Sequence, residues 1–255
     1  MKISDYFLED GNAVYFEEAQ ASRFAKNVAG DFNPIHDPGS RRFCVPGDLL
    51  FTVLLSRYGV ASNTTVEFSG MLDGKTRMLL PQTSDDAIDI VDSRDRALMS
   101  LRQTGVRFVN HAFIEQLCHA YVKFSGQTFP DILVPLMQSA DVMINPDRPL
   151  VIYKDMTISF NDSANDLFHA GVSGQLKDLH QPIGDRLSLI SSSNDIEVNG
   201  RKGGVRLSFS IEADGQQIGA GEKNMVLGGL REYDDQAMMA IVDQYNTWRR
   251  EYNPT

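Results

Sequence analysis

"VPGDLLFTVLLSRYGV", residues 45–60, reads as a helix with almost no polar side. Leu49, Leu50, Val53, Leu54 and Tyr58 recur at helical spacing, while Phe51 and Leu55 fill the opposite flank. A helix that is apolar nearly all round must be wrapped by other structure. Pro46-Gly47 marks its start, and Asp48 is the expected N-cap. From about residue 64 the apolar period shortens. "TTVEFSGML", "DAIDIVDS", "RALMSLRQ" and "GVRFVN" are β-like runs broken by Asp, Gly and Ser. The simplest architecture is α+β: one buried helix cradled by a curved antiparallel sheet.

Upstream, "NAVYF" (12–16) reads as a short strand and "EEAQASRFAKNVAG" (17–30) as a helix. Glu17 and Glu18 suit the positive end of that helix, and Gly30 suits its exit. Downstream, the order weakly repeats. "HAFIEQLCHAYVKFSGQ" (111–127) is an amphipathic helix, and "FPDILVPLMQSADVMI" (129–144) is an apolar one that Pro135 kinks or delays. Four strand-like runs follow, with hairpin signals at "NGRKGG" and "ADGQQ". "AKNVAGD" matches "YVKFSGQ" and "TVEFSG" matches "TISFND" at similar separations, as duplication requires. We therefore expect two units, residues 1–110 and 111–255, closed by a C-terminal helix in "YDDQAMMAIVDQYNTWRREY".

The 255 residues carry 24 Lys and Arg against 34 Asp and Glu, a formal charge of −10. That balance opposes a nucleic-acid surface, which needs clustered cations to replace counterions. No run reaches the apolar length of a membrane span, and the N-terminus lacks a signal-peptide core, so a cytoplasmic protein is expected. Cys44 and Cys118 stand alone, without CxxC or a nearby His at ligand spacing, and read as reduced thiols. His111, His119, His169 and His180 find no partner at a convincing spacing, so no metal is expected.

One stretch concentrates chemistry: "AGDFNPIHDP", residues 29–38. Pro34 fixes its own φ and pushes Asn33 into an extended conformation. Two readings of these residues stand. In one, Asp31 and Asn33 cap local amides in an Asx-turn and His36 lies on the surface. In the other, the pinned turn aims Asp31 and His36 into one cavity, where a carboxylate and an imidazole share a water. Nearby, Arg41 and Arg42 are either a solvated basic pair or a phosphate contact.

"FAKNVAGDFNPIHDP" resembles the signature of the MaoC-like (R)-specific enoyl-CoA hydratases and dehydratases: Phe/Tyr-Ala, Ser-Gly-Asp-x-Asn-Pro-(Ile/Leu)-His, then Asp-Pro. The likeness covers roughly residues 12–70, with Ala29 in place of the family's Ser and a shorter segment between His36 and the central helix. It implies a hot-dog fold, here a tandem (double) hot-dog with a degenerate second copy, in which Gln127 takes the place of Asp31. It also implies that Asp31 and His36 hold the water added across a trans-2-enoyl thioester, on coenzyme A or acyl carrier protein, without metal or redox cofactor. Asn33 would shape the turn. Amides at Gly47 and Asp48 would receive the thioester oxygen, in competition with an Asp48 cap, and Arg41 and Arg42 would meet coenzyme A phosphates. Alternatives are an acyl-CoA thioesterase and a non-catalytic acyl-thioester or protein-binding module. Two copies in one chain would mimic the family's dimer, or the chain would form a homodimer.

Overall fold

The computed structural model describes residues 2–108, 110–145, 150–162, 164 and 187–252; the expectations for His169 and His180 lie outside the described residues. A short hairpin opens the chain, β1 (Leu8–Asp10) pairing with β2 (Ala13–Tyr15). Helix α1 (Glu18–Arg23) continues into a π-helical turn, Phe24–Ala29, and Gly30 ends it in the left-handed region with φ of 67°. Glycine adopts that conformation without steric cost.

The apolar stretch forms α2 (Gly47–Tyr58), with Leu49, Leu50, Phe51, Val53, Leu54 and Leu55 all buried. Each such side chain contributes about 1.5–3 kcal/mol on leaving water. Its N-cap is Pro46, with no side-chain cap, which corrects the expectation for Asp48. Strands β3 (Val60–Phe68), β4 (Met78–Leu79), β5 (Ala87–Asp92) and β6 (Ala97–Phe108) complete the first part.

The second part begins with α3 (His111–Gly126), whose apolar face packs on α2 and on a later strand. The apolar run after it does not make one helix. It divides into α4 (Thr128–Asp131), α5 (Leu133–Ser139) and β7 (Val142–Met143), with Pro135 in the first turn of α5. Pro lacks the N–H that an interior position would need, so the first turn is where it fits. Then come β8 (Leu150–Phe160), β9 (Leu187–Asn199), β10 (Lys202–Ala213), β11 (Gln216–Gly228), β12 (Arg231–Glu232) and α6 (Asp235–Glu251). Asp214 and Gly215 take φ of 51° and 78° in the β10–β11 turn, as the Asp-Gly signal requires.

Ten of the described strands form a single antiparallel sheet in the order β1-β2-β4-β5-β6-β3-β8-β11-β10-β9. On either side of the β3–β8 seam the same order recurs: β3-β6-β5-β4 on one side, β8-β11-β10-β9 on the other. At the middle of the seam Thr65 faces Thr157, their hydroxyls 3.1 Å apart. Two apolar clusters flank this arrangement. One gathers α2, α3 and the first strands; the other gathers α5, α6, β10 and β11.

Candidate active site

The turn after Gly30 is built by its own polar groups. Asp31 Oδ1 accepts the Asn33 amide at 2.8 Å, and Asn33 Oδ1 accepts the Ile35 amide at 3.1 Å, capping the 3-10 turn Pro34–His36. The Asx-turn is therefore real. His36, however, is not on the surface: only 9% of it is exposed. Its Nδ1 lies 2.7 Å from the Cys44 carbonyl, which can only accept, so Nδ1 carries a proton. That leaves Nε2 facing Asp31 Oδ2 at 3.5 Å. The bonds that shape the loop also turn the Asp31 carboxylate and the His36 ring toward each other. Lys26 pairs with Asp37 at 2.5 Å and fastens the far end of the loop to the π-helical turn.

Burial alone would raise the pKa of Asp31, but the hydrogen bond and charge of His36, the Asn33 amide and the Lys223 charge outweigh it and hold it below the ordinary value. For His36 burial pulls downward, and Asp31, the Cys44 carbonyl and Asp48 together pull its pKa above 6.5. The pair thus favours carboxylate with imidazolium, and the imidazole loses its proton only above that ordinary range.

Asp31 and His36 line a largely apolar cavity of about 650 Å³, together with Asn33, Gly47, Leu50 and Phe129. It runs from the first apolar cluster to Leu133, Ile144 and Met225 of the second. Helix α6 borders it with Ala237, Ala240, Ile241, Gln244, Tyr245 and Trp248, a single helical face.

Beside the mouth of α2 lies a buried polar knot. Asp48, 3% exposed, accepts Ser125 Oγ at 2.6 Å and the Tyr153 hydroxyl at 3.1 Å on Oδ2, and Lys223 approaches its Oδ1 at 3.4 Å. Lys223 also donates to Ser125, and its ammonium sits 3.8 Å from the centre of the Tyr153 ring. Burial lowers the pKa of Lys223 and Asp48 opposes that; burial, with the Asp48 charge, lifts that of Tyr153 well above the usual phenol range. Asp48 therefore turns into the protein and not onto the helix amides. Gly47 is pressed against the same ring: a Cβ there would meet Tyr153 Cδ2 at 2.1 Å.

A family model described as "Protein of unknown function (DUF3581)" matches residues 1–236. The chain belongs to DUF3581. No curated protein matches the sequence. Similar solved structures include one titled "MaoC-like dehydratase", 10% identical, covering 88% of this chain and 98% of that one at a TM-score of 0.39. A tesB protein of Mycobacterium avium subs paratuberculosis is 8% identical and covers 74% and 89%, at 0.39. An acyl-CoA thioesterase II, TesB2, of Mycobacterium marinum is 13% identical and covers 92% and 99%, at 0.38.

In this DUF3581 chain Asp31, His36, Asn33 and Gly47 line one cavity. Arg41 and Arg42 are exposed on the loop before Cys44 and do not line it. Among the described residues no cluster of His, Cys, Asp or Glu could hold a metal, and no helix is long and apolar enough to cross a membrane. Four residues escaped the sequence reading: Ser125, Tyr153, Lys223 and Tyr245. For Lys223 a signal existed. In β11 the buried positions alternate as Gly221, Lys223, Met225 and Leu227, so the strand period alone turns this lysine inward.

Proposed function

We propose that this chain is a tandem hot-dog protein whose first half hydrates trans-2-enoyl thioesters. The observation that carries the reading is the orientation of His36. With Nδ1–H held by the Cys44 carbonyl, the neutral imidazole presents a basic Nε2 beside the one Asp31 oxygen that the Asn33 amide leaves free, at the polar end of an apolar cavity. The matching strand orders about the β3–β8 seam support the tandem description.

In the proposed reaction a water sits between Asp31 Oδ2 and His36 Nε2. Its oxygen adds to C3 of the enoyl group, its proton passes to Nε2, and the π electrons move toward the thioester oxygen. The imidazolium then returns the proton to C2, giving the 3-hydroxyacyl thioester with no net proton change. Asp31 orients the water and stabilises the imidazolium. Helix geometry leaves the first amides of α2, at Gly47 and Asp48, without intrahelical partners, and that end suits the developing oxyanion. Because Asp48 points away from these amides, it does not compete with a thioester. Thr128 Oγ1, buried in the cavity wall with no partner among the described residues, is a further group that a polar substrate would satisfy. Arg41 and Arg42 would meet the carrier phosphates outside the mouth.

The test is turnover of crotonyl-CoA, a longer enoyl-CoA and the matching acyl carrier protein thioesters by wild type, Asp31→Asn and His36→Ala. A 3-hydroxyacyl product that both substitutions abolish is expected. Equal rates in all three proteins, or no rate in any, would reject the hydratase reading for those substrates. Release of free thiol would make the enzyme a thioesterase.

A further inference from the structure

Helix α6 has 17 residues yet buries only two side chains, Met238 and Tyr245. The Tyr245 ring stands edge-on to Phe32 at 6.0 Å and to Phe129 at 4.9 Å. Its hydroxyl donates to the Gly30 carbonyl at 3.0 Å and accepts the Phe32 amide at 3.3 Å. Gly30 and Phe32 are the two chain neighbours of Asp31, more than 200 residues away in sequence. Asp31's own amide is taken by the Ala25 carbonyl at 2.8 Å. Three consecutive residues of the turn are thus held at their backbone groups, two of them by one phenol. The family match stops at residue 236, so nothing in it assigns a role to Tyr245.

We infer that Tyr245 is a positioning residue, whose hydroxyl bridges the peptide groups on both sides of Asp31 and keeps that carboxylate aimed at His36. The inference rests on the reading of Asp31 and His36 as the reacting pair. Phe32 is only 6% exposed, so without the hydroxyl its amide and the Gly30 carbonyl lose their partner in a place water reaches poorly. The carboxylate then drifts, and a displacement of about 1 Å at a reacting group is enough to cost on the order of 10²-fold in rate.

Tyr245→Phe keeps the ring and removes the bridge. The deciding readout needs no substrate: the NMR titration of the His36 ring, assigned by its absence from His36→Ala. The charges felt by His36 are Asp31 and, less strongly, Asp48. In wild type the midpoint lies above 6.5, and in Asp31→Asn it falls. In Tyr245→Phe it falls in the same direction by a smaller step, and kcat drops about tenfold or more with KM within about twofold. Phe129→Leu alters the cavity wall and the ring contact with Tyr245 but keeps the hydroxyl bridge, and leaves the midpoint unchanged. An unchanged midpoint in Tyr245→Phe, or an equal fall in Phe129→Leu, would overturn the inference. If wild type turns over no thioester, the proposed reaction fails by itself, while the His36 titration still decides the role of Tyr245.

Discussion

Two glycines end helical segments at the heart of this molecule, and the chain beyond each has gone a different way. After Gly30 comes Asp31, then a proline-pinned turn that delivers His36 into the cavity. After Gly126 comes Gln127, which is exposed, and the cavity wall there is made by Thr128 and Phe129. The two ends touch: a Cβ on Gly126 would lie 1.4 Å from the Ala29 carbonyl. The residue before that second glycine, Ser125, faces Asp48 and Lys223 and not the acid–base pair. The first turn carries the proposed acid–base pair, and its neighbour packs against the helix end that precedes it. A shared helix-glycine exit does not by itself bring a carboxylate and an imidazole together; the few residues after it do.

The largest expected difference between the two turns is kinetic. Asp31→Asn should lower turnover of an enoyl thioester by about 10²–10⁴-fold, whereas Gln127→Ala should leave it within about twofold. Similar losses in both would mean that the two turns share the work. Next in size is the supporting side. Lys223→Met strands the Asp48 carboxylate in the interior, and denaturant unfolding should show a loss of about 3–5 kcal/mol. Adding Asp48→Leu should recover much of it, since an apolar pair has no charge to answer. Gly126→Ala should cost about 1–3 kcal/mol through overpacking against the Ala29 carbonyl, seen as a lower unfolding midpoint.

The smallest expected effect is in pH. Asp31 titrates below its ordinary 3.8 in the folded state, so its share of stability is present above that value and fades as pH falls through the lowered pKa. His36 titrates above 6.5, so its share is complete below 6.5 and fades as pH rises through the raised pKa. The pair therefore stabilises most between those two ordinary values, by at most about 1 kcal/mol because Asp31 keeps contact with solvent. Asp31→Asn should flatten that dome in thermal melts taken across the range. Catalysis should run the other way on the alkaline side, kcat/KM rising as the imidazole loses its proton.

Much of this was readable in the chain because it depends on neighbours in sequence. Pro34 and the Asn33 cap lie within three residues of each other, and the Asp214-Gly215 turn announces itself. The apolar circumference of α2 demanded a wrapping and found one. What escaped depends on distance along the chain. Asp48 reads as a cap until Ser125, Tyr153 and Lys223, up to 175 residues away, supply better donors. Tyr245 sits in a helix whose polar surface hides a hydroxyl aimed at the opposite end of the sequence. Local propensity cannot see such partners, and only the fold creates them.

The contact between Lys223 and Asp48 has one more consequence. It ties β11 to α2 by opposite charges that are both almost wholly buried, so a change at one position is best tolerated together with a change at the other. A lineage carrying this protein could discard that charge pair solely by passing through an intermediate with an unanswered ion in its interior. Codons 48 and 223 are thus expected to travel together, or to stand still.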